Sequence, residues 1–117
     1  MLWTHGLSVF AWSSLGRGFF SNHYDPGNPG GNPVSRWCAA YFGSEENIQK
    51  LERANMFALQ RHVVVAHVAL AYVLCHVHVF AVVGCTTSEQ FAQNVAALSL
   101  KLDDATLNWL ATGQAAQ

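Results

Sequence analysis

Val77-His78-Val79-Phe80-Ala81-Val82-Val83-Gly84-Cys85-Thr86-Thr87-Ser88-Glu89-Gln90 is the stretch on which the fold turns. Its first half is apolar and largely β-branched, which favours a buried strand, and Gly84 stops it. Its second half opens a helix. Both Thr86…Glu89 and Thr87…Gln90 have capping-box spacing, just ahead of Phe91, Val95 and Leu98 at helical intervals. A strand running straight into a helix start places a glycine, two hydroxyls and unpaired first-turn N–H groups together. That is an anion site by construction, and equally an ordinary structural cap.

Upstream, Val63 to Cys85 contains no Asp, Glu, Lys or Arg. The stretch is long enough to cross a bilayer as a helix. However, His67, His76 and His78 interrupt it, and its composition changes from Ala/Leu-rich (Ala66–Leu74) to β-branched (Val77–Val83). We therefore divide it into a helix over 64–76 and a strand over 78–84. Before it, Ser44 can cap a helix whose first turn carries Glu45 and Glu46. Ile48, Leu51, Ala54 and Ala58 give that helix, 44–62, an apolar side, and Glu46 and Lys50 are an i,i+4 pair on the opposite side.

Near the start, Leu7–Trp12 is a short apolar run, a strand over 7–12, that enters Ser13-Ser14-Leu15-Gly16-Arg17-Gly18. Arg17 there can pair with a phosphate, and the glycines permit close approach. Residues 23–33 hold all three prolines with Gly27, Gly30 and Gly31, so they read as an irregular loop. Helices are expected over 87–98 and 103–112; the second buries Leu107 and Leu110 and stops at Gly113. Two buried strands separated by helices imply parallel pairing in an α/β protein. Two parallel strands do not by themselves make a sheet with covered faces and edges.

Composition sharpens this. The chain has 117 residues, 51% hydrophobic and only 11% charged, where a soluble domain has roughly 25% charged. Six Lys+Arg against seven Asp+Glu leave a net charge of -1, which gives no general attraction to nucleic acid. Cys38, Cys75 and Cys85 lack framework spacing and read as reduced thiols of a cytoplasmic chain. The first residues lack the basic start and apolar core of a signal peptide, and no lipidation signal is visible.

Trp12-Ser13-Ser14-Leu15-Gly16-Arg17-Gly18 resembles the seventh-strand motif of the aldo-keto reductases. Ala69-Leu70-Ala71-Tyr72-Val73-Leu74 resembles their seventh crossover helix, and Gly84-Cys85-Thr86-Thr87-Ser88-Glu89-Gln90-Phe91-Ala92-Gln93-Asn94 their eighth strand and nucleotide-binding turn. Leu98-Ser99-Leu100-Lys101-Leu102-Asp103-Asp104 is similar to the segment entering their last helix. The likeness is collinear from about Leu7 to Ala111. It implies a C-terminal fragment of a (β/α)8 TIM barrel, with the last two βα units and a C-terminal helix. It also implies NADP(H) as cofactor for carbonyl reduction by hydride transfer. By the same resemblance, Trp12, Ser13, Ser14, Leu15, Gly16 and Arg17 run along the nicotinamide and pyrophosphate. Gly84, Thr86 and Gln90 hold the 2′-phosphate end, with Thr86 and Gln90 donating hydrogen bonds to phosphate. Gln93 and Asn94 then contact adenine.

The departures matter too. Position 93 is Gln where the family usually has Glu, and no Lys or Arg lies between Gly84 and Asn94, so NAD(H) stays open beside NADP(H). His62-Val63-Val64-Val65 replaces the Gly and Pro that usually mark the helix–helix junction. Nothing matches the family's catalytic Tyr, Lys, Asp and His, and Tyr24, Tyr41 and Tyr72 are not assigned that role. Cys75-x-x-His78 is one metal-ligand pair without a second, so no metal site is assigned. Cys85 at a helix start can have a lowered pKa, although a buried spacer is the simpler reading. Trp3, Trp37 and Trp109 read as packing residues. The expectation is thus a cofactor-binding portion without its catalytic residues, inactive alone. Two alternatives stay open: a non-catalytic interaction module completed by a partner chain or a second copy, and a small membrane protein spanning 63–83.

Overall fold

The computed structural model describes residues 6–12, 15–20, 24–76 and 78–114. In chain order they form β1 (Val9–Ala11), a 3-10 turn (Gly16–Gly18), α1 (Pro33–Phe42), α2 (Glu45–Arg61) and α3 (Val65–Leu74). Then come β2 (Val79–Ala81), α4 (Ser88–Ala96), a 3-10 turn (Ala97–Ser99) and α5 (Asp104–Thr112). The class is mixed α/β. The two strands pair in parallel, with Val9 opposite Val79, Phe10 opposite Phe80 and Ala11 opposite Ala81.

Both strands are shorter than the apolar runs that contain them. His78 enters with φ 63°, a left-handed conformation that cannot continue a strand. Pairing closes where the Val82 N–H donates to the Ala11 carbonyl at 2.9 Å. α1 is an element the residue pattern did not announce. Its start was nevertheless written in the sequence. The Asn32 side chain accepts from the Ser35 N–H at 2.8 Å, and Pro33 follows at the first helical position, where its missing N–H costs nothing. Ser35, fully buried, ties the preceding loop down by donating toward the Asp25 and Asn28 carbonyls at 3.5 and 3.4 Å.

α2 begins as its sequence dictates, with Ser44 accepting from the Asn47 N–H and Glu46 pairing with Lys50 at 3.1 Å. Its end explains how a Val-rich junction replaces glycine. His62 adopts φ 56° as the left-handed cap, and the Val63 N–H reaches back to the Ala58 carbonyl at 3.0 Å. The uncharged stretch then splits into α3 and β2. No single described helix is long and apolar enough to cross a membrane.

The buried core is helical. Leu51, Ala54, Phe57 and Ala58 of α2 meet Val65, Val68 and Ala71 of α3, with Phe19, Tyr24 and Cys38 beside them and Leu102 and Leu110 from the C-terminal part. Trp37 and Trp109 pack against this cluster, while Trp3 lies outside the described residues. Leu107, also expected inside, is only half-buried. α5 is held to α2 by Arg53, which donates to the Leu110 carbonyl at 3.1 Å and the Ala111 carbonyl at 3.4 Å. A guanidinium there also opposes the negative end of the α5 dipole. Gly113, at φ 78°, follows directly, and a side chain there would press on Arg53.

Two substitutions test this. Arg53→Ala should lower unfolding free energy by about 1–3 kcal/mol in urea titration, because two buried-side carbonyls lose a charged donor. Arg53→Lys should recover less than half, since one ammonium cannot span both carbonyls. At the other end of α5, the Asp103 carboxylate accepts from the Thr106 N–H at 2.7 Å. Hydrogen bonds from the Thr106 side chain and backbone hold this carboxyl below the usual range. A carboxyl depressed by folding adds stability above its unfolded value, near ~3.9, and loses it as pH falls through the folded value. The stability difference between the native chain and Asp103→Asn should therefore be largest near neutral pH and shrink on acidification.

Candidate functional site

Parallel pairing puts the C-terminal ends of β1 and β2 side by side, so the two glycine-bearing loops leave the same end of the sheet. From β1 the chain passes through Trp12, which is 78% exposed. Ser13 and Ser14 lie outside the described residues, as does the side chain of Arg17. Leu15 is half-buried, and its carbonyl accepts from the Phe20 N–H at 3.0 Å. Gly16 opens the 3-10 turn at φ 64°, and a Cβ there would lie 2.8 Å from that of Phe19. This glycine is demanded by the turn itself.

From β2 the chain runs through Val82, Val83 and Gly84 into the α4 start. Gly84 differs from Gly16. It has no left-handed backbone, and a Cβ there would meet nothing within 4 Å. Neither the turn nor the packing of this chain calls for a glycine at that position. Every residue from Val82 to Gln93 is exposed.

Of the two capping-box spacings, the structure uses the second. Thr87 is the cap, its hydroxyl accepting from the Gln90 N–H at 3.1 Å. The Gln90 side chain reaches one residue further back than a standard box, its Oε1 accepting from the Thr86 N–H at 2.9 Å and the Thr86 hydroxyl at 3.0 Å. The two residues assigned to the phosphate are therefore together, but here the Thr86 donors are turned onto Gln90. Asn94, one helical turn below Gln90, donates to Cys85 Sγ at 3.0 Å. Cys85 is exposed rather than a buried spacer. It lies outside the core because the whole turn does. Gln93 is exposed next to Asn94.

The remaining candidates separate from this end. Tyr24 is buried against Phe19 at 4.9 Å, and burial pushes its hydroxyl pKa up. Tyr41 is exposed and lies 4.8 Å from the Trp37 ring, and Tyr72 packs against His76 at 5.3 Å. The His76 Nδ1 lies 2.9 Å from the Tyr72 carbonyl, and the His67 Nε2 is buried without a hydrogen-bond partner. Among the described residues, no three His, Cys, Asp or Glu side chains group as metal ligands.

This arrangement can hold an extended, partly anionic ligand across two adjacent strand ends. An apolar indole stands at one loop. A glycine with free space and the N-terminus of a nine-residue helix stand at the other. Glu89, in the first turn of α4, sets a negative charge beside that terminus.

Residues 1–111 match the Aldo/keto reductase family. The norsolorinic acid reductase stcV of Emericella nidulans is 30% identical over 107 residues, which cover 89% of this chain. The same alignment covers 26% of that relative, so this chain spans about a quarter of its length. Aldo/keto reductases generally use nicotinamide cofactors. The chain belongs to the Aldo/keto reductase family.

Proposed function

We propose that the chain is the cofactor-binding end of an aldo/keto reductase domain: the last two βα units of a (β/α)8 barrel with the C-terminal helix. The observation that carries this reading is the parallel register of β1 and β2, which sets both glycine loops at one sheet end. In barrels of parallel strands, a phosphate site commonly follows strands 7 and 8 beside a helix N-terminus.

The ligand is NADP(H), with NAD(H) also accepted. When bound, the nicotinamide supplies a hydride to a carbonyl. Trp12 flanks the nicotinamide, and Ser13, Ser14, Leu15, Gly16 and Arg17 follow the pyrophosphate. Gly84 lets the backbone come close, while Thr86 and Gln90 receive the 2′-phosphate. For that, the Thr86 N–H and hydroxyl exchange the Gln90 oxygen for phosphate oxygens, a swap of one acceptor for a stronger one. Gln93 and Asn94 take the adenine edge, Asn94 giving up its contact with Cys85.

Preference for the 2′-phosphate is small, because Glu89 faces the same helix start and no Lys or Arg lies between Gly84 and Asn94. The chain offers no acid matching the family's Tyr with its Lys, Asp and His, so it does not reduce carbonyls by itself. Cys38, Cys75 and Cys85 form no disulfide, which supports a reducing, cytoplasmic setting.

Tryptophan fluorescence titration tests the reading. NADP+ and NAD+ should both change the emission, with dissociation constants within about tenfold of each other, or 1.4 kcal/mol. Trp12→Phe should abolish the change, and Glu89→Gln should move preference toward NADP+ by about two- to fivefold. NADPH consumption with carbonyl substrates should be nil. No emission change with either dinucleotide, or a change that survives Trp12→Phe, would refute the assignment.

A further inference from the structure

We infer that a cavity between α2, α3 and α5 is a binding site for a small monocyclic aromatic carboxylate, separate from the dinucleotide site. Its volume is about 220 Å³. Each helix contributes an alanine to the lining: Ala54 from α2, Ala69 from α3 and Ala111 from α5. Space remains because three methyl groups meet where larger side chains would close the gap. The walls around such a space lack dispersion contacts, which a ligand of matching shape supplies. Among the described residues, none from 12–17 or 82–94 lines this cavity, so it stands apart from the strand-end loops.

Size, rings and charge fix the ligand class. A closed apolar cavity of about 150 Å³ takes up benzene, so 220 Å³ admits one ring with a short acid arm. Drug-sized ligands occupy roughly 300–1,000 Å³, which makes a polycyclic molecule too large. Two half-buried rings, Phe20 and Tyr72, line the space. Both are held in place. The Phe20 N–H donates to the Leu15 carbonyl and its ring meets Phe19 edge-on at 5.1 Å, while Tyr72 packs on His76. Aromatic rings in offset or edge contact gain more than their buried area alone gives, which favours an aryl group over an alkyl chain.

The charge comes from α2. Among the described residues of the lining, Lys50 alone is charged. The residue pattern sets Lys50 on the polar side of α2, but it stands one turn before Ala54 and lines the cavity with it. Its side chain is only 35% exposed, so its stem lies along the protein while its ammonium meets Glu46 at 3.1 Å. Glu46 is 77% exposed, and a surface pair of this kind exchanges readily for another carboxylate. The carbonyl end of α5 would repel an anion, but Arg53 already donates to the Leu110 and Ala111 carbonyls.

Calorimetric titration of the full 117-residue chain with phenylacetate tests the site. One molecule should bind per chain, with a dissociation constant at or below about 1 mM. Phenylacetamide, of the same shape without the charge, should bind about tenfold more weakly, as should octanoate. Lys50→Met should weaken phenylacetate by about fivefold or more, whereas Glu46→Gln, which breaks the same surface pair, should not weaken it. Ala69→Leu should fill the cavity and abolish binding with helical circular dichroism unchanged. Ala111→Leu, at a half-buried position, is the second filler and should do the same. Saturating NADP+ should leave phenylacetate affinity unchanged. Amide shifts should appear at Ala54, Ala69 and Ala111 rather than at Thr86 and Asn94. Absence of binding up to about 10 mM, equal affinity for phenylacetamide or octanoate, binding that survives both fillers, or displacement by NADP+ would overturn the inference.

Discussion

Three residue pairs hold the functional geometry together. Val9, Phe10 and Ala11 lie parallel to Val79, Phe80 and Ala81, across most of the chain's length. Parallel pairing requires a crossover, and here α1, α2 and α3 supply it. Were the strands antiparallel, the loop after Ala11 and the turn after Ala81 would leave opposite ends of the sheet. A single ligand would then have no path from Trp12 to Thr86. Everything said of the site depends on that direction.

The energetics are arranged around a different centre. The fully buried side chains lie among the helices, with Val68 of α3 at 1% exposure and Cys38 of α1 at 0%. The strands and α4 contribute nothing to that list. Arg53 locks α5 onto α2, and α3 packs against both α2 and β2. A helical platform thus carries a thin sheet whose loop-bearing end is exposed. Such separation lets the loops vary without loss of the core.

Much of this was legible in the residues. Ser44, Thr87 and Asp103 each cap a helix as their side chains and spacing require, and the break in the uncharged stretch follows the change from Ala/Leu to β-branched residues. The family likeness rests on the same residues. α1 does not stand out in the residue pattern, because three prolines and their glycines dominate its approach. Asn32-Pro33 is nevertheless a sufficient start signal, and Gly43 ends the helix. The His62 turn was hidden for another reason: histidine seldom takes φ 56°, and only the returning bond from Val63 reveals the cap. Local pattern also could not show that Phe91, Val95 and Leu98 stay exposed. Helical spacing reports that a face is apolar, whereas burial depends on what stands opposite. The same limit applies to Thr86, whose hydroxyl in this chain goes to Gln90, a choice between acceptors that spacing does not decide.

The central claim is that one parallel pair unites two loops into one dinucleotide site. Nuclear Overhauser contacts across the sheet, followed by amide shift mapping with NADP+, examine it most directly. The account predicts parallel cross-strand contacts in the register Phe10 opposite Phe80. It also predicts that the Gly16 and Thr86 amides shift together along a single binding curve. Antiparallel contacts, or a shift of one loop without the other, would contradict it.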